Sequence, residues 1–202
     1  KRVAAREFES IRQNGKIAIT LKEDDELIGV KPTRGDEDII IAASNGKAVR
    51  FREDCVRDMG RTASGVRGMD VDGSEVIGVA TSNEGSKILI VTENGNGKKT
   101  DINEYRVTSR GAKGVKTLKE NDRIGKLVTL KAINGDEDAL IMTSDGIIIR
   151  IHLDQVSELS RVTSGVRLIT PQPGTTVQAV SIVEHEDEEE IIEETKEEGS
   201  DN

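Results

Sequence analysis

One motif returns through this chain at a fixed interval. Ser109-Arg110-Gly111-Ala112-Lys113-Gly114-Val115-Lys116 ends in a Gly-Val-Lys that reappears as Gly65-Val66-Arg67 and Gly165-Val166-Arg167, with a looser copy in Gly15-Lys16-Ile17. The glycines at 15, 65, 114 and 165 are 50, 49 and 51 residues apart. A second series, Asn45-Gly46, Asn94-Gly95 and Asp145-Gly146, keeps the same beat at 49 and 51. Two independent series at one period define a repeated unit of about 50 residues, the signature of a stacked or circular architecture.

Each unit follows one plan. A basic strand such as Lys47-Ala48-Val49-Arg50-Phe51-Arg52 comes first, and corresponding segments start at residues 1, 49, 98 and 149. A polar stretch such as 54–64 follows, predicted as a loop with a short helical turn. The glycine then opens a strand over 65–71, and two further strands are predicted over 75–80 and 87–92. The first unit repeats the scheme at Asn14-Gly15-Lys16-Ile17-Ala18-Ile19 and Asp25-Glu26-Leu27-Ile28-Gly29-Val30. Asn94-Gly95 predicts a tight type I′ hairpin turn into the next basic strand. Four short β-branched strands per unit, and no helical stripe over three turns, predict an all-β ring of four-stranded blades. About four repeats are present, the last one partial, and the chain opens in mid-repeat, as a fragment would.

Composition agrees with thin, repeated cores. Aromatic residues make up 1% of 202 and there is no Trp, so Ile, Val, Leu and Ala must fill the interior. The net charge of −9 hides a division. Residues 184–202 carry eleven acids and one lysine, −10, whereas 1–183 carry 27 acids and 28 bases, +1. The expected organisation is a folded domain at 1–183 and a disordered acidic tail at 184–202. No segment approaches the ~18 apolar residues of a membrane span.

No catalytic constellation emerges. Gly95-Asn96-Gly97-Lys98-Lys99-Thr100 lacks the first glycine and the Ser/Thr placement of a phosphate-binding loop. His152 and His185 have no Cys or His at metal-ligand spacing, and His152 is expected at the surface of a basic strand. The single cysteine, Cys55, reads as a small core filler, and Tyr105 reads as a packing anchor. No cofactor is expected.

What recurs is positive charge. Basic strands contribute Lys1, Arg2, Arg50, Arg52, Lys98, Lys99 and Arg150, and the loops contribute Arg12, Arg61, Arg110, Lys113 and Arg161. After each glycine come Lys16, Arg67, Lys116 and Arg167. Placed side by side, these sixteen residues would form a band along one edge of the ring, a footprint for a polyanion backbone. The absence of stacking aromatics argues against single-stranded or base-specific RNA recognition and favours duplex DNA held through phosphates. A protein-interaction scaffold is the competing reading, because edge lysines also protect sheets from aggregation.

Segments 14–19, 25–30, 46–51 and 56–68, with 94–100 and 109–115, resemble the C-terminal domain of the bacterial DNA gyrase A protein, and the resemblance spans 1–183. It implies a β-pinwheel, a propeller-like ring of six four-stranded blades with an altered strand path, whose basic rim wraps DNA. It further implies a cytoplasmic, nucleoid-associated parent enzyme that introduces negative supercoils with ATP and Mg²⁺ bound in other domains, through a heterotetramer with the gyrase B protein. The family's Gln-Arg-Arg-Gly-Gly-Lys-Gly box is absent here, and Arg110-Gly111-Ala112-Lys113-Gly114 is its nearest echo. Tyr105 does not match the family's catalytic tyrosine, which belongs to the N-terminal portion. The similar C-terminal domain of the topoisomerase IV A protein is the alternative within this group. In relatives an acidic tail modulates wrapping, as a −10 segment competing with phosphate for the rim would.

Overall fold

The computed structural model describes residues 1–11, 13–119 and 121–186. These residues form eleven strands and four short 3₁₀ turns, and none of them is in an α-helix. The strands are β1 (Asp38–Ala43), β2 (Lys47–Arg52), β3 (Val76–Thr81), β4 (Lys87–Thr92), β5 (Asn96–Asp101), β6 (Val115–Lys116), β7 (Leu127–Ile133), β8 (Asp138–Thr143), β9 (Ile148–His152), β10 (Val166–Arg167) and β11 (Val177–Val183). They make three antiparallel sheets, ordered β3-β1-β2-β6, β10-β5-β4-β7 and β11-β8-β9.

The strand order shows how the units interlock. Each central hairpin, such as β4–β5, gains its inner neighbour from the chain that follows it. The outer neighbour comes from further on. β6, which follows the second blade's hairpin, pairs back onto β2 of the first blade, and β10 pairs back onto β5 of the second. The glycine-led strand of one unit therefore closes the blade before it. The expected long strand at 65–71 is not formed. Its successors β6 and β10 are two residues long, because they only edge a sheet that is otherwise complete. Gly65, Gly114 and Gly165 all adopt positive φ. A Cβ on Gly114 would lie 2.3 Å from the Ala48 carbonyl oxygen, and one on Gly165 would lie 2.6 Å from that of Gly97. Only glycine permits both the φ and the approach.

The sheets stack face to face through separate thin cores. β4 explains its own sequence: Ile88 and Ile90 point into a layer with Ile40, Tyr105 and Leu130, while Leu89 and Val91 point into another with Ile141 and Val180. Both faces are buried, so the strand reads as an unbroken apolar run and does not alternate. Tyr105 is the anchor expected; it is 1% exposed and its hydroxyl bonds Thr117. Inner strands β3, β7 and β11 lie against one another in series.

Three local expectations are corrected. The hairpin turns are not type I′, because Asn45, Asn94 and Asp145 keep negative φ and only the glycines after them are left-handed. The Gly46, Gly95 and Gly146 amides donate to Ala43, Thr92 and Thr143, the pattern of a type I turn ending in a left-handed glycine. Cys55 lies in an exposed 3₁₀ turn and fills no core. Residues 14–30 form no strand, and Ile17, Leu27, Ile28 and Val30 are exposed. Among the described residues they pair with no strand of a sheet, and apolar sequence alone does not make a strand.

Candidate nucleic-acid interface

Half of the sixteen recurring cations turn out to be joints between units. Three positions repeat in register. The first joins each basic strand to the 3₁₀ turn of the next unit. Arg2 Nη1 donates to the Glu53 carbonyl at 3.4 Å, Arg50 Nη1 to that of Ile102 at 2.7 Å, and Lys99 Nζ to that of Leu153 at 2.5 Å. Each acceptor is the first residue of its turn. Arg50 is further held by Asp38 at 2.7 Å.

The second position joins the same strand to the next unit's loop. Lys1 Nζ donates to the carbonyls of Gly60 and Arg61. Lys98 Nζ donates to those of Ser160 at 2.7 Å and Arg161 at 2.5 Å, and to Thr163 Oγ1 at 3.1 Å. The corresponding residue in the intervening unit is Val49, which packs in an apolar cluster with Phe51 and Met69. The third position is the loop arginine. Arg61 donates to the Ile17 carbonyl, Arg110 to that of Arg67 and Arg161 to that of Lys116. Each of these pins the glycine-led segment of the unit before it.

Lys98 and Lys99 are therefore not on a rim. They are 0% and 5% exposed. Burial pushes the Lys98 ammonium down to about 8, against a rise from Glu104 and a further lowering from Arg161. Burial also lowers Lys99, with Lys87 adding to it. The physical reason is the strand-swapped topology: the next unit's loop folds over β5 and covers what looked like an outer face. Lys16 is half-buried and donates to the Glu7 carbonyl, and Ile17 takes the slot that Arg67 and Lys116 occupy in their units. Arg12 lies outside the described residues.

The cations that do face outward are fewer. Arg67, Lys116 and Arg167 are exposed at the same position after the glycine, and the last two sit on the outermost strands β6 and β10. Lys113 is exposed beside them, and Arg52 is exposed on the first hairpin. Lys116 faces Lys47 directly across the β2–β6 pair. Like charges in that relation repel, so the edge favours an anionic neighbour. One is internal: Asp72 receives Lys113 at 3.2 Å and Lys47 at 3.3 Å, and these hydrogen bonds, Lys113 first, lower its carboxyl. Sequence reasoning passed over Asp72, and also the exposed Lys119, Arg123 and Lys126 between β6 and β7, because they occur in one unit only.

Arg150 differs from its counterparts. Among the described residues no later 3₁₀ turn reaches it, and its partners are Asp138 at 2.5 Å, the Glu184 carbonyl at 3.1 Å and Glu186 at 3.2 Å. Residues 184–186 of the expected disordered tail are thus seated on the third sheet; residues 187–202 lie outside the described residues. A cleft of about 560 Å³ opens where the inner strands begin, between Asn45, Glu75, Glu93, Lys126 and Gln178.

The fold and its outer edges define a ring-type all-β module built from strand-swapped blades with cationic margins. The family model described as DNA gyrase C-terminal domain, beta-propeller, matches residues 1–34, 37–83, 86–134 and 137–183, in step with the repeats, and the chain belongs to that family. Over 183 residues it is 48% identical to the DNA gyrase A protein of Ureaplasma parvum serovar 3, covering 90% of this chain and 22% of that protein. The chain thus spans about a fifth of the curated relatives it matches. Among solved structures, a DNA gyrase A C-terminal domain superposes with a TM-score of 0.75 at 25% identity, covering 84% of this chain and 58% of the other. The C-terminal domain of a DNA topoisomerase IV superposes at 0.83 with 23% identity, covering 96% and 62%, a likeness of fold. No helix among the described residues is long and apolar enough to cross a membrane.

Proposed function

We propose that this chain binds duplex DNA through phosphates along the outer edges of its blades, without reading base sequence. In that role it supports DNA wrapping by a parent type II topoisomerase of the gyrase class. The observation that carries the reading is the recurrence of Arg67, Lys116 and Arg167 at one exposed position in three successive units. A ligand with evenly spaced negative charges can meet all three; a protein partner has no reason to repeat at that interval. The carbonyls of Arg67 and Lys116 are tied down by Arg110 and Arg161, so the backbone is held while each side chain stays outside.

The rest of the parent machinery belongs to other regions of such an enzyme: the gyrase B protein, the remainder of the A protein, ATP, Mg²⁺ and the catalytic tyrosine. Negative supercoiling is the activity this module would serve there, in a bacterial cytoplasm. A topoisomerase IV module is the second reading, favoured by the higher superposition score and opposed by the 48% identity to a gyrase A protein.

The test is fluorescence anisotropy of a labelled duplex at several salt concentrations, with wild type and Lys116→Glu/Arg167→Glu. The double variant should keep its circular dichroism, bind more weakly, and lower the slope of log affinity against log salt by about two. Unchanged affinity in a folded variant would overturn the assignment.

A further inference from the structure

Asp38 and Asp138 hold the same place in two blades, each at the open end of a hairpin, but their surroundings differ. Asp38 pairs across the sheet with Arg52 and is gripped by Arg50, so two guanidinium groups close it off. Asp138 pairs across the sheet with His152, and only Arg150 remains as a guanidinium partner, on Oδ2. Its other oxygen, Oδ1, is met at 2.8 Å by His152 Nδ1 and at 2.8 Å by His185 Nδ1. The two rings stack with centroids 3.9 Å apart. One ligand atom from each of the three residues lies within 4.8 Å of the others.

We propose that Asp138, His152 and His185 bind a divalent transition-metal ion of the zinc class, which fastens the chain leaving β11 to the third blade. Two imidazole nitrogens and one carboxylate oxygen suit zinc, leaving a fourth position for water. Ligands about 2.0–2.1 Å from a tetrahedral ion stand roughly 3.3 Å apart, so each Nδ1, now 2.8 Å from Oδ1, needs to draw back from it by about half an ångström. The surroundings fit. His152 Nε2 lies 3.5 Å from Asp154 Oδ1, the carboxylate backing that orients metal-bound histidines. Arg150 holds Oδ2 and leaves Oδ1 to the ion, while Glu186 at 3.2 Å balances the arginine's charge. In these hydrogen bonds each Nδ1–H donates to Oδ1, so binding an ion through Nδ1 moves the ring proton to Nε2, a tautomer exchange that releases no net proton from a neutral ring.

The plainer role for His152 is a hydrogen-bonding stand-in for Arg52 across from the carboxylate. It does not explain why a second imidazole converges on the same oxygen or why Asp154 backs the first.

The experiment is Co²⁺ and Zn²⁺ titration of the full chain in millimolar Mg²⁺, which saturates exposed carboxylates, with Cys55→Ser as background. The expected result is one equivalent of Co²⁺ with visible d–d absorption, displaced by Zn²⁺. His185→Ala lies beyond the last strand and removes no member of the blade's apolar core. His152→Arg copies the first blade and keeps the ion pair. Each should weaken uptake by at least about a hundredfold, and Asp154→Asn by about tenfold. Absence of the absorption band, or equal uptake by the folded variants, would overturn the proposal. Loss of uptake in Cys55→Ser alone would overturn it too.

Discussion

Arg50 of the first blade donates to the carbonyl of Ile102 in the second at 2.7 Å, while its other guanidinium edge clasps Asp38 of its own blade at 2.7 Å. One side chain therefore both closes a hairpin and fixes the angle to the neighbouring blade. Its side chain is 13% exposed and that of Asp38 8%, so removing one leaves the other buried without its partner. Arg50→Ala should cost about 3 kcal/mol in urea unfolding. Arg52, 47% exposed and 3.5 Å from the same carboxylate, should cost less than about 0.5 kcal/mol when replaced by Ala.

Lys98 gives the protein a pH dependence on the alkaline side. Burial holds its folded value near 8, below the ordinary 10.5. Between those two values the unfolded chain carries more protons than the native one, so stability rises with pH across that window, by at most about 1.4 kcal/mol per unit. Below pH 8 both states are protonated and the term is flat. Urea midpoints from pH 7 to 10 should show the rise, and Lys98→Met should remove it.

Burial also changes what a charge-reversal experiment on this strand would report. Lys98→Glu with Lys99→Glu places two carboxylates against the carbonyls of Ser160, Arg161 and Leu153. The double variant should lose its native circular dichroism, in contrast to Lys116→Glu/Arg167→Glu.

Gly114 and Gly15 share a left-handed backbone, with φ of 77° and 74°, but differ in what surrounds them. Nothing lies within 4 Å of a Cβ on Gly15. Gly15→Ala should cost about 1 kcal/mol in strain alone, and Gly114→Ala several times that, since β6 must leave β2. Thermal unfolding of the two variants gives the comparison.

Cys55 is exposed, and its thiol should react fully with a disulfide reagent under native conditions, without the slow phase that opening a core would impose.

The periodicity of glycines and hairpin turns specified four-stranded units and an all-β ring, because turn chemistry and β-branched runs act over a few residues and are visible in order along the chain. It placed β2 and β4 at their observed bounds, Lys47–Arg52 and Lys87–Thr92. The charge on Lys98 and Lys99 was equally visible, but not its direction. Only the tertiary structure decided that the loop 157–163 folds over β5 and turns two apparent rim cations into interblade joints. It alone decided that β6 closes the blade before it and that His185 meets His152 and Asp138. Those outcomes depend on which elements pack after roughly 30 to 70 residues of intervening chain, and no local propensity encodes a contact of that span.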